Sequence, residues 1–178
     1  TYGAFVHGGC LFVVLDTELQ TWEIAGPQLD FLRAALQAAA ARSDLRAVFC
    51  CAHKLVFGHR QRYFEVLMGG NALDDLKGPN RFCQDVLPLL TSLAQKLPVY
   101  WFGGDIGTAR TLPAFLDRDP ASGVTFAATG IGDLPRDCVL QVDVAAGAVR
   151  LSLRSLTGAP APDLADLGVA AWRQHVFP

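Results

Sequence analysis

Apolar positions recur along this chain in three patterns, and each predicts a different kind of element. Continuous apolar runs at 10–15, 47–52 and 98–102 predict strands covered on both faces, because a strand with one wet face would alternate. Helical spacing follows from 28 to 42, where Leu29, Leu32, Ala35, Leu36 and Ala39 share a face and strong helix formers fill the other positions. A second helix is predicted over 80–96 from Phe82, Val86, Leu89, Leu90, Leu93 and Leu97, with Pro88 expected to bend or split it. Partial alternation at 124–128, 139–144 and 148–153 predicts three more strands, the last two close enough to form a hairpin. Strands and helices in this order predict an α/β fold around a mixed sheet.

The connections add detail. Residues 54–80, with Gly58, Gly69, Gly70, Gly78 and Pro79, read as a long irregular excursion, and such loops in compact domains usually have a role. The last stretch, 157–178, holds Pro160 and Pro162 and few apolar positions before 169–172, and is expected to be a surface tail. Residues 1–156 then form a single α/β domain. A chain of 178 residues, 51% apolar, is long enough for one well-filled core and too short for two.

Charge removes some partners. A net charge of −2 and no run of Lys or Arg give no general attraction for nucleic acid or for anionic membrane surfaces. No apolar run reaches the ~18 residues of a membrane span. The chain begins at Thr1, so the lack of a leader pattern leaves localisation open. Cysteines at 10, 50, 51, 83 and 138 form no C-x-x-C pair, and are expected to be reduced core residues rather than disulfide or zinc ligands.

Candidate chemistry gathers where two strands end. His53 follows the strand at 47–52, and Gly103-Gly104-Asp105-Ile106-Gly107 follows the strand at 98–102. Ligands in open α/β sheets collect at such carboxyl ends. His53 and Asp105 are therefore the candidate functional residues of this edge, with the capping of a loop turn as the plainer role of Asp105. Asp16 closes a strand and is expected to hold a turn. His59, Arg60 and Arg62 offer a basic turn, either solvated or in contact with a substrate phosphate. The Gly103–Thr108 turn also fits an amide cradle for an anion, as in a nucleotide-binding module, although its spacing is neither G-x-G-x-x-G nor a P-loop.

These pieces together carry a resemblance. Tyr2-Gly3-Ala4-Phe5, then Leu11-Phe12-Val13-Val14-Leu15-Asp16-Thr17, then Gln28-Leu29-Asp30-Phe31-Leu32 opening a helix, then a strand ending in His53, then a strand ending in Gly-Gly-Asp-Ile-Gly resemble the C-terminal half of a calcineurin-like metallophosphoesterase. The resemblance implies a β-sandwich flanked by helices in α-β-β-α layers. It also implies hydrolysis of a phosphate mono- or diester by a hydroxide that a pair of divalent metals (Mn, Fe, Zn or Mg) generates at the strand ends. His53 matches the family's strand-end imidazole ligand, and the resemblance implies that His53 and Asp105 are the metal-ligating and catalytic residues this chain supplies. Asp105 stands where the family's G-H-x-H has its first His, and Gly107 where it has the second. The D-x-H, G-D-x-x-D-like and G-N-H-[DE] segments of the family's N-terminal half do not occur here. The resemblance therefore implies that this sequence is the C-terminal part of a longer protein, with residues 1–156 the C-terminal part of a larger metallophosphoesterase domain, whose N-terminal half is its partner at the site and whose substrate is a phosphate ester. A degenerate member that kept the fold as a scaffold is the alternative of a different class.

Overall fold

The computed structural model describes residues 1–18, 23–67, 81–106, 112–145 and 148–176. Residues 68–80 of the expected excursion, and Gly107, lie outside the described residues. A six-stranded mixed sheet forms the centre, flanked by helices as the sequence predicts. Its strands are β1 (Gly3–His7), β2 (Cys10–Val14), β3 (Ala47–Cys51), β4 (Val99–Gly103), β5 (Ala114–Arg118) and β6 (Thr125–Thr129), in the order β1-β2-β3-β4-β6-β5. The four inner strands run parallel, and the edge strands β1 and β5 are antiparallel to their neighbours.

Burial explains the continuous apolar runs. Alternate residues of β2 to β4 divide between two cores: Leu11, Val13, Val48, Cys50, Val99 and Trp101 face one way, and Cys10, Ala47 and Phe49 the other. Both faces are therefore dry, which is what an unbroken apolar strand is for. On the first face lie α1 (Gly26–Ala40), α2 (Gln61–Leu67) and α3 (Leu87–Ala94), together with α4 (Val169–Val176). Pro27 sits in the first turn of α1, where its missing N–H costs nothing. Pro88 marks the join between a π-helical turn, Phe82–Val86, and α3, so the split expected from the proline is present.

The second face is covered by a hairpin, β7 (Cys138–Ala145) with β8 (Ala148–Ser155). Leu140, Leu151 and Leu153 pack with β5, and Val142, Val144 and Val149 pack with Phe12, Phe49, Tyr100 and Phe102. The hairpin thus crosses the sheet as a second β layer.

Two edge strands and the C-terminal segment differ from expectation. The sequence did not predict β1, whose residues are mostly exposed, nor β5, whose short run ends in Asp117-Arg118; neither has the apolar signature of an inner strand. The final stretch is no surface tail. Leu164 and Leu167 are buried beside Ala114, and Trp172, 2% exposed, donates its indole N–H to the Ala114 carbonyl at 2.9 Å. Its ring meets Phe115 edge-on at 6.3 Å. One large aromatic with a single donor can dock a segment that shows little apolar periodicity.

Candidate functional site

Two hydrogen-bonded ladders bring the candidate residues together. Beyond β3, Ala52 N–H donates to the Phe102 carbonyl at 2.9 Å, and Gly104 N–H donates to the His53 carbonyl at 2.8 Å. The pairing of β3 with β4 therefore continues past the strand ends and sets His53 directly against the Gly103-Gly104-Asp105 turn. This approach requires glycine. A Cβ at Gly104 would lie 2.9 Å from His53 Nδ1, and one at Gly103 would lie 2.6 Å from Leu55 Cδ2. Asp105 follows with φ of 46°, a left-handed conformation that Asp tolerates better than most side chains.

The loop leaving β2 completes the edge. The buried side chain of Gln28 accepts from Asp16 N–H at 2.7 Å and donates to the Asp16 carbonyl at 2.9 Å, so it pairs with that backbone as a neighbouring strand would. Thr17, 1% exposed, accepts the Lys54 N–H on its hydroxyl at 2.9 Å. Asp16 accepts the Glu18 N–H at 3.1 Å, and so holds the turn expected of it. The Leu-Asp-Thr segment and the Gln at the start of α1 thus act as one clamp on the residues that follow β3.

At this edge His53 Nε2 lies 3.6 Å from Asp105 Oδ2 and 3.6 Å from Glu18 Oε1. The ring is half-exposed, with 52% of its side chain accessible. Lys54 is different: its ammonium sits 2.7 Å from Asp105 Oδ2 and 3.9 Å from Glu18 Oε1, and the side chains of Lys54 and Asp105 are only 13% and 14% accessible. A cleft of about 440 Å³ opens beside them, with Val14, Cys51, His53, Phe102 and Gly104 in its walls. The structure therefore joins the two residues singled out from the sequence, His53 and Asp105, and adds Lys54 and Glu18, which sequence reasoning missed. The one signal available was adjacency, Lys54 directly following His53.

The basic turn finds another use. Arg60 Nη1 lies 2.6 Å from Asp119, an ion pair whose N–H direction misses the oxygen, and Asp119 also receives Ser122 N–H at 2.8 Å and the Ser122 hydroxyl. Arg62 grips Asp117 with two bonds of 2.9 Å, and the buried Tyr63 hydroxyl donates to the same carboxylate at 2.8 Å. Arg60 and Arg62 hold the segment after β3 to the strand β5 and its loop, instead of forming a solvated turn. Burial pushes the Tyr63 phenol up, and its bond to Asp117 adds to that. For Asp119, burial acts to raise the carboxyl, but Arg60 and Ser122 outweigh it and hold the pKa below the usual value. All five cysteines are free thiols, with Cys10, Cys50 and Cys138 buried.

No family model matches the chain, and no curated protein sequence does. Among solved structures it is similar to purple acid phosphatase PPD1 from yellow lupin (Lupinus luteus) seeds, with a TM-score of 0.57 and 13% identity over 91% of this chain and 31% of that one. The likeness is one of fold. This chain thus spans about a third, 31%, of the length of that phosphatase. A structure assigned as an enoyl-CoA hydratase/isomerase from Mycobacterium abscessus (TM-score 0.35, 14% identity, 60% of this chain and 49% of that one) and an enoyl-CoA hydratase from Bacillus halodurans (0.31, 10%, 57% and 41%) superpose too poorly to bear on fold or function.

The residues of this edge do not by themselves fit a metal pair. Among the described residues no group of three or more His, Cys, Asp or Glu side chains is placed to hold a metal ion. One imidazole faces the cleft, and the carboxylate beside it already holds an ammonium.

Proposed function

We propose that the intact protein is a phosphate-ester hydrolase of the calcineurin-like metallophosphoesterase kind, and that this chain is its C-terminal part. The observation that carries the reading is the placement of His53. A half-exposed imidazole at the end of an inner parallel strand is held against the Asp105 turn, on a chain whose fold is similar to that of a phosphatase. In this reading the divalent ions and most of their ligands belong to the part of the protein outside this chain. His53 is left to present Nε2 to the phosphoryl group or to its metal, from a backbone that the Gly104 and Thr17 bonds keep still. The substrate is a phosphate mono- or diester, selected by loops outside the strand ends.

The test is hydrolysis of an aryl phosphate ester by the full-length protein, with and without a chelator and with His53→Ala as control. Metal-dependent turnover that falls at least ~100-fold in the variant supports the reading. Full activity in the variant contradicts it.

A second reading rests on Lys54. An ammonium bound to Asp105 at 2.7 Å favours a non-catalytic member that keeps the fold as a scaffold; its outcome in the same assay is no turnover by the wild type. Nucleotide affinity without metal would point instead to an anion-binding module.

A further inference from the structure

One row of side chains crosses the whole sheet on the hairpin face, and its chemistry changes at one end. The strand register aligns Phe5, Phe12, Phe49, Tyr100, Thr125 and Arg118 across β1, β2, β3, β4, β6 and β5. The first four are rings stacked in sequence, with centroids 5.0, 5.1 and 5.1 Å apart. The last two are polar. At that end opens a cleft of about 310 Å³, walled by Tyr100, Thr125 and Arg118 and, from the turn after α3, by Gln95 and Lys96. Its size is that of a small-ligand site. No Asp or Glu is among the described residues that line it. Arg33, Arg42, Arg60, Arg62 and Arg81 each hold a carboxylate, whereas the exposed Lys96 and Arg118 make no ion pair with a described residue. The hydroxyls of Tyr100 and Thr125 likewise bond to no described residue. Burial pushes the Tyr100 phenol up and the Arg118 charge opposes it, so the guanidinium's field reaches the neighbouring wall. The carbonyl end of α3 does not cancel that field: the Leu93 carbonyl is taken by Lys96 N–H at 2.9 Å and Leu97 N–H at 3.2 Å.

We infer that this cleft, at the opposite end of β4 from the His53 edge, binds a small phosphate-bearing anion. Arg118 and Lys96 supply the charge, and the Tyr100 and Thr125 hydroxyls supply further donors. A guanidinium fork matches pairs of phosphate oxygens, and charged donors make the stronger hydrogen bonds. Two cations also suit a dianion, since a singly charged carboxylate would leave one of them unanswered. The stacked rings hold Tyr100 in place, so little side-chain freedom is lost when its hydroxyl is used. The site stands whether or not the intact protein hydrolyses phosphate esters.

Calorimetric titration of the full-length protein with inorganic phosphate, at constant ionic strength and with a chelator present, tests the site. Phosphate should bind at least ~10-fold more tightly than acetate, and Arg118→Gln and Lys96→Gln should each weaken it at least ~10-fold. His53→Ala should leave its affinity unchanged, which places the binding in this cleft and not at the strand-end edge. Should either charge variant fail to fold by circular dichroism, Tyr100→Phe decides: a loss of at least ~3-fold supports the site, and equal affinity contradicts it. No phosphate binding by the wild type, acetate bound as tightly as phosphate, full affinity in both Gln variants, or affinity lost in His53→Ala overturns the inference. Because metal is withheld and the readout is binding, this result and that of the phosphatase assay can each fail without the other.

Discussion

At Arg60–Tyr63 every charge is answered from within the fold, whereas at His53–Lys54 only part of the charge is used up. Arg62 and Tyr63 share Asp117, and Arg60 and Ser122 share an Asp119 that is 1% exposed. Both sites join the segment after β3 to another strand end, and both pair a cation with a carboxylate at under 3 Å. In the first, the one accessible side chain described, Arg62 at 41%, already spends two bonds on Asp117. The second leaves the His53 imidazole in the wall of a cleft, with the exposed Glu18 carboxylate 3.6 Å from it. A dense charge cluster is thus a poor guide to chemistry unless it leaves an accessible group that is not already committed to a neighbour.

The contrast can be broken most severely at Asp119. Its replacement by Ala strands the Arg60 guanidinium, and should lower stability by about 3–5 kcal/mol in chemical denaturation; a loss under ~1 kcal/mol would mean the cluster is not structural. Next comes Trp172→Phe, which leaves the Ala114 carbonyl without its donor and opens space beside Phe115. A loss of about 1–3 kcal/mol is expected, and an unchanged midpoint would show that the last segment does not dock.

Acid titration tests the same cluster without removing atoms. The folded pKa of Asp119 is held below its unfolded value, by Arg60 and Ser122 against the opposing effect of burial. Its contribution is therefore present above the ordinary carboxylate pKa of about 4 and is lost as pH falls through the folded value. Wild-type stability should fall with acid below about pH 4, and Asp119→Asn should flatten that slope; an equal slope in both would remove Asp119 as its source. The smallest effect is expected at the open edge, where His53→Ala should shift stability by no more than about 0.5 kcal/mol.

The inner sheet was legible because its physics is local. Residues 10–15, 47–52 and 98–102 are apolar without a break, and each became a strand dry on both faces. Amphipathic spacing found α1 within two residues at each end, and Pro88 marked a real join. β1 and β5 were hidden because an edge strand owes its existence to its neighbour's open hydrogen bonds, which leave little mark on its own residues. Trp172 was hidden because one anchor makes no period. At the site, strand ends pointed to His53 and Asp105, and the ladder from β3 to β4 set them 3.6 Å apart. Lys54 was hidden because a lysine after a strand is ordinarily a solvated one. Only the fold, with Thr17 and Asp105 arriving from other loops, turns it inward.

The central claim is that His53 marks a working edge and not a structural one. Kinetics and unfolding of the same full-length His53→Ala preparation test it most directly. The account predicts that aryl phosphate hydrolysis drops at least ~100-fold while the denaturation midpoint stays where it was. Undiminished hydrolysis, or a loss of rate that only follows a loss of folded protein, would contradict it.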